Sequence, residues 1–152
     1  MSTKKPINDS LLNNPIWITL IDFEALCFNL ARELYTFNQP IPDFSTRNPG
    51  VLESCLETPL QKFDKNDLYP TFAKKLAALF YFLIKNHPFQ NGNKRIAVTA
   101  LLVVLHFNGK WMRVDSIKIY RFAKNVASSD RKDKDEVLRE IEKFVIDHMI
   151  NF

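Results

Sequence analysis

His87-Pro88-Phe89-Gln90-Asn91-Gly92-Asn93-Lys94-Arg95 lies between two apolar runs, and its reading decides both the fold and the place of the site. On one side, Leu76 to Ile84 reads as a buried helix. It must end near His87, because a residue that precedes proline is steered out of the α region. On the other side, the run Ile96 to Leu105 starts directly after Arg95. The backbone N–H groups around Gly92 to Arg95 then form the positive end of a helix that cradles an anion, and Lys94 and Arg95 add full charges there. His87 falls in the loop between two central helices, where a neutral imidazole is suited to take a proton near neutral pH. This is the wiring of a phosphate-handling active site.

Each residue of the stretch has an ordinary reading beside the functional one. Phe89 reads as an aromatic anchor that pins the loop into the core. Gly92 lets the backbone approach a phosphate without a Cβ in the way. Asn93 is suited either to cap the following helix or to touch a ligand. Lys94 and Arg95 oppose the helix dipole unless an anion arrives, and such a local conflict marks a functional site. A P-loop is excluded: no glycine stands five residues before Gly92, and no Ser or Thr follows Lys94. His106 and His148 fall on helix patterns without a partner at metal-ligand spacing and read as structural.

The rest of the chain reads as helices around this hairpin. Thr19 and Asp22 form a capping box, followed by Phe23, Leu26, Cys27, Leu30, Ala31 and Leu34 at helical spacing. Residues Phe37 to Asn48 read as a loop or short hairpin. Asn48-Pro49 predicts an N-cap and first-position proline for a short helix through Val51, Leu52, Cys55 and Leu56, closed by Pro59. Phe63 to Asp67 reads as a polar connection, and Tyr69-Pro70-Thr71 opens the central helix. Asn108-Gly109 ends the helix after the motif, Asp115 or Ser116 caps the next, and Val137 to Met149 marks an amphipathic last helix.

A length of 152 residues suits one domain, expected over residues 19–152 behind a loose N-terminal arm, 1–18. Hydrophobic residues make up 46%, with 13 phenylalanines against 3 glycines, which favours packed helices over turn-rich β structure. An all-α fold is expected. Cys27 and Cys55, both on apolar stretches, read as buried thiols. The polar start lacks the apolar core of a signal peptide, and no apolar run approaches the roughly 20 residues of a membrane span, so the expected location is cytoplasmic, without membrane contact. A net charge of +4, with lysines scattered among acids, lacks the concentrated footprint of a nucleic-acid binder. A helix-turn-helix around Asn108-Gly109 would also leave His87 unexplained.

The string HPFQNGNKR resembles the signature of the Fic/Doc superfamily: a histidine, a phenylalanine two residues on, an acidic residue, a small residue, an asparagine and basic residues. Its ending Asn93-Lys94-Arg95 is similar to the Doc (death-on-curing) branch. The Fic branch has glycine where Lys94 stands and a second arginine where Val98 stands. Upstream, Arg47 to Ser54 with Leu56 and Pro59 resembles the segment that follows the substrate-clamping flap, with Arg47 as a flap candidate. The resemblance runs from about Leu20 to Gly109.

The resemblance implies a compact helical bundle with the motif loop between two central helices. It implies His87 as catalytic base, and Asn91, Gly92, Asn93, Lys94 and Arg95 as the nucleotide and phosphate site. The cofactor would be ATP or another nucleoside triphosphate with Mg2+; the family's metal-holding acid falls on Asn91, whose amide brings an oxygen but no charge. The implied activity is that of a Doc-like toxin of a toxin–antitoxin pair, a kinase-like transfer of the γ-phosphoryl to a hydroxyl of a target protein, by resemblance the translation factor elongation factor Tu. The implied partner is a separate antitoxin with a disordered tail, since the family's own inhibitory element is absent. The alternatives are Fic-type nucleotidyl transfer (AMPylation) and a catalytically weak module that binds a nucleotide or partner.

Overall fold

Thr71 accepts the Lys74 N–H at 3.1 Å and so starts α4, Phe72–Lys85, in which every residue but Lys74 is buried. A helix apolar on nearly all faces must be surrounded, and α4 is the hub of the fold. In this computed structural model, which describes residues 14–34 and 41–152, it packs against α3 (Val51–Glu57), α5 (Asn93–Phe107), α6 (Ser116–Ser128) and α7 (Lys134–His148). α4 ends at Asn86, and α5 begins after the Gly92 N-cap. The motif therefore bridges the two most buried helices, and the fold is mostly helical, as its composition predicts.

The end of α4 is tied down. Lys85, only 8% exposed, donates to the carbonyls of Ala127 at 3.1 Å and Ser129 at 2.5 Å. A buried ammonium is tolerable because it satisfies the carbonyls left open where α6 finishes. Arg131 returns a hydrogen bond to the Lys85 carbonyl at 2.6 Å. His87 thus follows a helix end that α6 and its neighbouring turn hold in place.

The first helix differs from its predicted stripe. Thr19 does cap it, accepting the Asp22 N–H at 3.1 Å, but between α1 (Leu20–Asp22) and α2 (Asn29–Leu34) the chain is π-helical over Phe23–Phe28. The wider turn rotates the later residues, so Phe28 is buried while Leu26 and Leu30 are 42% and 40% exposed. The short helix α3 is capped by Gly50 at φ +78°, not by Asn48, whose side chain is used elsewhere.

Two small sheets add to the expected helices. The connection before α4 is a hairpin, β1 (Lys62–Phe63) with β2 (Asn66–Asp67), turned by Asp64 and Lys65 at φ +50° and +68°. The last helix stops at His148, and Met149–Asn151 forms β4, antiparallel to β3 (Lys110–Met112). Strands of two or three residues are too short for alternation to betray them.

Residues 1–13 and 35–40 lie outside the described residues, so only the end of the expected arm 1–18 and the later part of the expected Phe37–Asn48 loop are seen. That end is fastened. Ile16 and Asn108 exchange hydrogen bonds of 2.7 and 2.9 Å, Trp17 Nε1 donates to Leu56 O at 2.8 Å, and Ile18 is buried. From Ile41 the loop runs through a 3-10 turn, Phe44–Thr46. Cys27 and Cys55 are free, buried thiols, as expected. Among the described residues no helix is long and apolar enough to cross a membrane.

Candidate active site

His87 is exposed and has φ +49°, a left-handed conformation that a non-glycine side chain rarely adopts. Strain of this kind persists only where the surroundings over-determine it. Three contacts do so. The Asn48 side-chain amide donates to the His87 carbonyl at 2.7 Å, and the Asn48 backbone N–H donates to the Pro88 carbonyl at 2.9 Å. Phe89 then plunges into the core, 1% exposed, stacked on Phe28 with centroids 5.1 Å apart and tilted against Phe44 at 6.0 Å. The π-helical turn that buries Phe28 is therefore what gives the motif its anchor.

Asn93 closes the loop from the other end. It is the first residue of α5 and not its cap; its Oδ1 accepts the Phe89 N–H at 3.1 Å and its Nδ2 donates to the Phe89 carbonyl at 2.8 Å. Those two bonds fix which end of the amide is which, so Nδ2 is the atom that faces His87 Nδ1, at 3.4 Å. A donor there leaves the Nδ1 lone pair in place and the ring proton of neutral His87 on Nε2. At that length the contact is weak, and exchange between tautomers costs little.

The start of α5 is built for an anion. Gly92, the N-cap, offers no side-chain hydrogen bond, the first turn holds no acid, and its side chains include Lys94 and Arg95. The N-termini of α4 and α6, by contrast, are capped by Thr71 and Asp115. Lys94 is exposed and makes no ion pair among the described residues. Gly92 at φ +80° admits no side chain: a Cβ there would stand 2.7 Å from Ile41 Cγ1 and 3.4 Å from Arg95 Nη2. The upstream loop thus closes directly over the turn, with Arg95 beside it.

Asn91 carries a side-chain oxygen that is buried and, among the described residues, without a hydrogen-bond partner. An orphaned oxygen of this kind suits a hard cation, which takes oxygen ligands. Among the described residues no group of three or more His, Cys, Asp and Glu is placed to hold a metal. The residues present therefore fit a cation that takes one protein oxygen and completes its shell with phosphate and water.

Arg47 is engaged away from the turn. Its Nε and Nη2 bond Glu53 Oε1 at 3.3 and 3.1 Å, its Nη1 reaches the Phe44 carbonyl at 3.4 Å, and its guanidinium lies 4.4 Å over the Phe44 ring. A hydrogen bond from its own backbone lowers the Glu53 carboxyl most, burial opposes it, and the Arg47 hydrogen bond and charge add to the lowering, so the group lies below its ordinary value. His106 and His148 stand apart from the loop: His106 meets Phe152 and Trp111 edge-on, and His148 Nδ1 is 2.7 Å from the Phe144 carbonyl.

A model of the Fic/DOC family matches residues 17–105, which include the first helix, the upstream loop, α4, the motif and nearly all of α5. The chain belongs to the Fic/DOC family. It is 34% identical over 73 residues to a protein described as Toxin Doc from Mycolicibacterium smegmatis, a match that covers 48% of this chain and 56% of that protein. The chain thus spans about half the length of that curated relative. No solved structure matches the chain. Within the Fic/DOC frame, Val98 is 1% exposed, so the position at which the Fic branch carries a second arginine lies in the core.

Asn48 was not legible as a site residue, because Asn-Pro before an apolar run is a helix-start signature. Phe28 and Phe44 lacked any local signal, since the contact that matters is with a residue more than forty positions away.

Proposed function

We propose that this chain is a Doc-like toxin of a toxin–antitoxin pair, acting in the cytoplasm as a kinase-like enzyme that moves the γ-phosphoryl of a nucleoside triphosphate to a protein hydroxyl. The observation that carries the reading is the pairing of an uncapped, cation-bearing α5 N-terminus with a strained histidine locked beside it. The likeness to a protein named Toxin Doc supports the toxin assignment, and Asn93-Lys94-Arg95 supports the Doc branch.

In this reading the phosphates lie on the N–H groups of Asn93, Lys94 and Arg95, with both side-chain cations stabilising charge as it moves. His87 takes the proton of a Ser, Thr or Tyr hydroxyl on Nε2, in the tautomer that carries its ring proton on Nδ1, which the weak Asn93 contact leaves within reach. The hydroxyl oxygen bonds to the γ-phosphorus as the bond to the β–γ bridging oxygen breaks, and a nucleoside diphosphate leaves. Asn93 and Phe89 act by positioning, since both ends of the Asn93 amide are committed to Phe89. Mg2+, where bound, would have Asn91 Oδ1 as its protein oxygen and would neutralise phosphate charge. The target is a protein of the translation machinery, and the partner is an antitoxin whose tail folds on binding.

The test is transfer to a candidate translation factor from ATP labelled on the α- or the γ-phosphate, run beside His87→Ala. Label from γ alone, lost by about 10²-fold or more in the variant while nucleotide affinity persists, is the expected result. Label from α with an added nucleotidyl mass would replace the kinase reading with nucleotidylation. Nucleotide binding without any transfer would make the chain a binding module.

A further inference from the structure

α6 carries Lys118, Arg121 and Lys124 and no acidic residue between Ser116 and Ser128. Arg121 and Lys124 line a cavity of about 630 Å³ together with Ser116, Ile117, Tyr120 and the motif's Arg95. No carboxylate lines it among the described residues. Arg121 and Lys124 are exposed and make no ion pair among the described residues, whereas Arg32, Arg47, Lys74, Lys75 and Lys143 each face a carboxylate. Residues three apart on a helix are neighbours, so Arg121 and Lys124 repel each other as they stand. Arg95 joins this group to the site: its Nη2 lies beside the Gly92 turn, 3.4 Å from where a Cβ would be, while the same residue borders the cavity.

We propose that Arg121 and Lys124, joined to the Gly92 turn by the motif's Arg95, form a second arm of the phosphate site and bind the phosphate chain of the nucleotide. The inference rests on the nucleotide reading above and adds residues from a helix outside the motif. A bound polyphosphate turns a repulsive row of cations into charge-assisted hydrogen bonds, which are stronger than neutral ones. The cavity has the size of a small-molecule site, and a single acidic side chain would leave most of its positive charge unmatched. Chain topology explains why the motif alone does not reveal this arm: α6 follows α5 in the chain and packs against both α5 and α4.

Calorimetric titration of the full chain with ATP, AMP and inorganic tripolyphosphate tests it, using Arg121→Gln, Lys124→Gln, the double variant and Lys118→Gln, whose residue lines a different cavity. Loss of a charge-assisted hydrogen bond predicts that the Arg121 and Lys124 variants weaken ATP and tripolyphosphate by roughly tenfold each, with AMP affected least. Lys118→Gln should bind as wild type does, Arg121→Lys should recover part of the loss, and melting temperatures should stay level. A double variant that binds ATP and tripolyphosphate as tightly as wild type overturns the proposal, and so does a wild-type chain that binds neither. Weakening equal for AMP and ATP would mean the arm does not read phosphates and overturns it too. The underlying reading fails separately: Arg121-dependent tripolyphosphate binding without any transfer to protein would keep this arm and remove the transferase.

Discussion

The side-chain amide of Asn48 donates to the carbonyl of His87 at 2.7 Å, across 39 residues of sequence. With the Asn48 N–H on the Pro88 carbonyl, this clasp holds the imidazole-bearing residue at its positive φ. Asn48→Ala removes the side-chain bond only. Because the site is exposed and water replaces part of the loss, the stability change should be about 1 kcal/mol. Transfer should fall further, by roughly tenfold or more, since small misplacements of a reacting group are expensive. Thermal melting and initial rates measured side by side check this; equal, small effects on both would mean that Asn48 merely supports the loop.

Gly92→Ala should disable the turn. A Cβ would meet Ile41 Cγ1 at 2.7 Å, and the left-handed backbone adds about 1–2 kcal/mol of its own. The expected outcome is weakened nucleotide binding with the helical content unchanged in circular dichroism. Pairing Gly92→Ala with Ile41→Ala relieves the contact but not the backbone strain, so it should recover binding in part. Full binding by Gly92→Ala alone would show that phosphate does not approach this turn.

Most of what positions the site was legible in the sequence where physics is local. Pro88 ended α4, Thr19, Thr71 and Asp115 capped their helices, and the apolar runs on either side of the motif became α4 and α5. What was not legible is non-local or irregular. The π-helical turn at Phe23–Phe28 changes the period on which a stripe is read, and so exchanged Leu26 and Leu30 for Phe28. The short pairings β1–β2 and β3–β4 have no alternation to read. Asn48 carried the right residue type for a cap, yet Gly50 took that role and left Asn48 to the motif.

The two thiols give a pH prediction with a definite sign. Burial, with a smaller push from the Asp22 charge, raises Cys27 to about 12, and burial raises Cys55 to about 12 against a hydrogen bond from Asn86. Folded values above the unfolded ones mean that the stabilisation is fully present below the unfolded value of about 9 and is lost as pH rises toward 12. Native protein should therefore resist a thiol reagent at mildly alkaline pH and react with both cysteines once unfolded. Chemical denaturation midpoints should drop as pH climbs above about 9, and Cys27→Ala with Cys55→Ala should flatten that drop. A midpoint independent of pH over this range would contradict the burial of the thiols.

Asn91 offers the sharpest contrast between fold and function, because its side-chain oxygen is buried and has no hydrogen-bond partner among the described residues. Asn91→Asp puts a full negative charge at the same place. Without a cation that charge is desolvated, and the variant should melt at a lower temperature than wild type. With Mg2+ and ATP the charge gains its partner, so the variant should melt higher than wild type under the same conditions and need less Mg2+ to reach half its shift. A melting curve at each Mg2+ concentration, with and without nucleotide, reads this independently of turnover. If Asn91→Asp is destabilised equally in both conditions, the oxygen does not face a cation, and neutralisation of the phosphates falls to Lys94 and Arg95 alone.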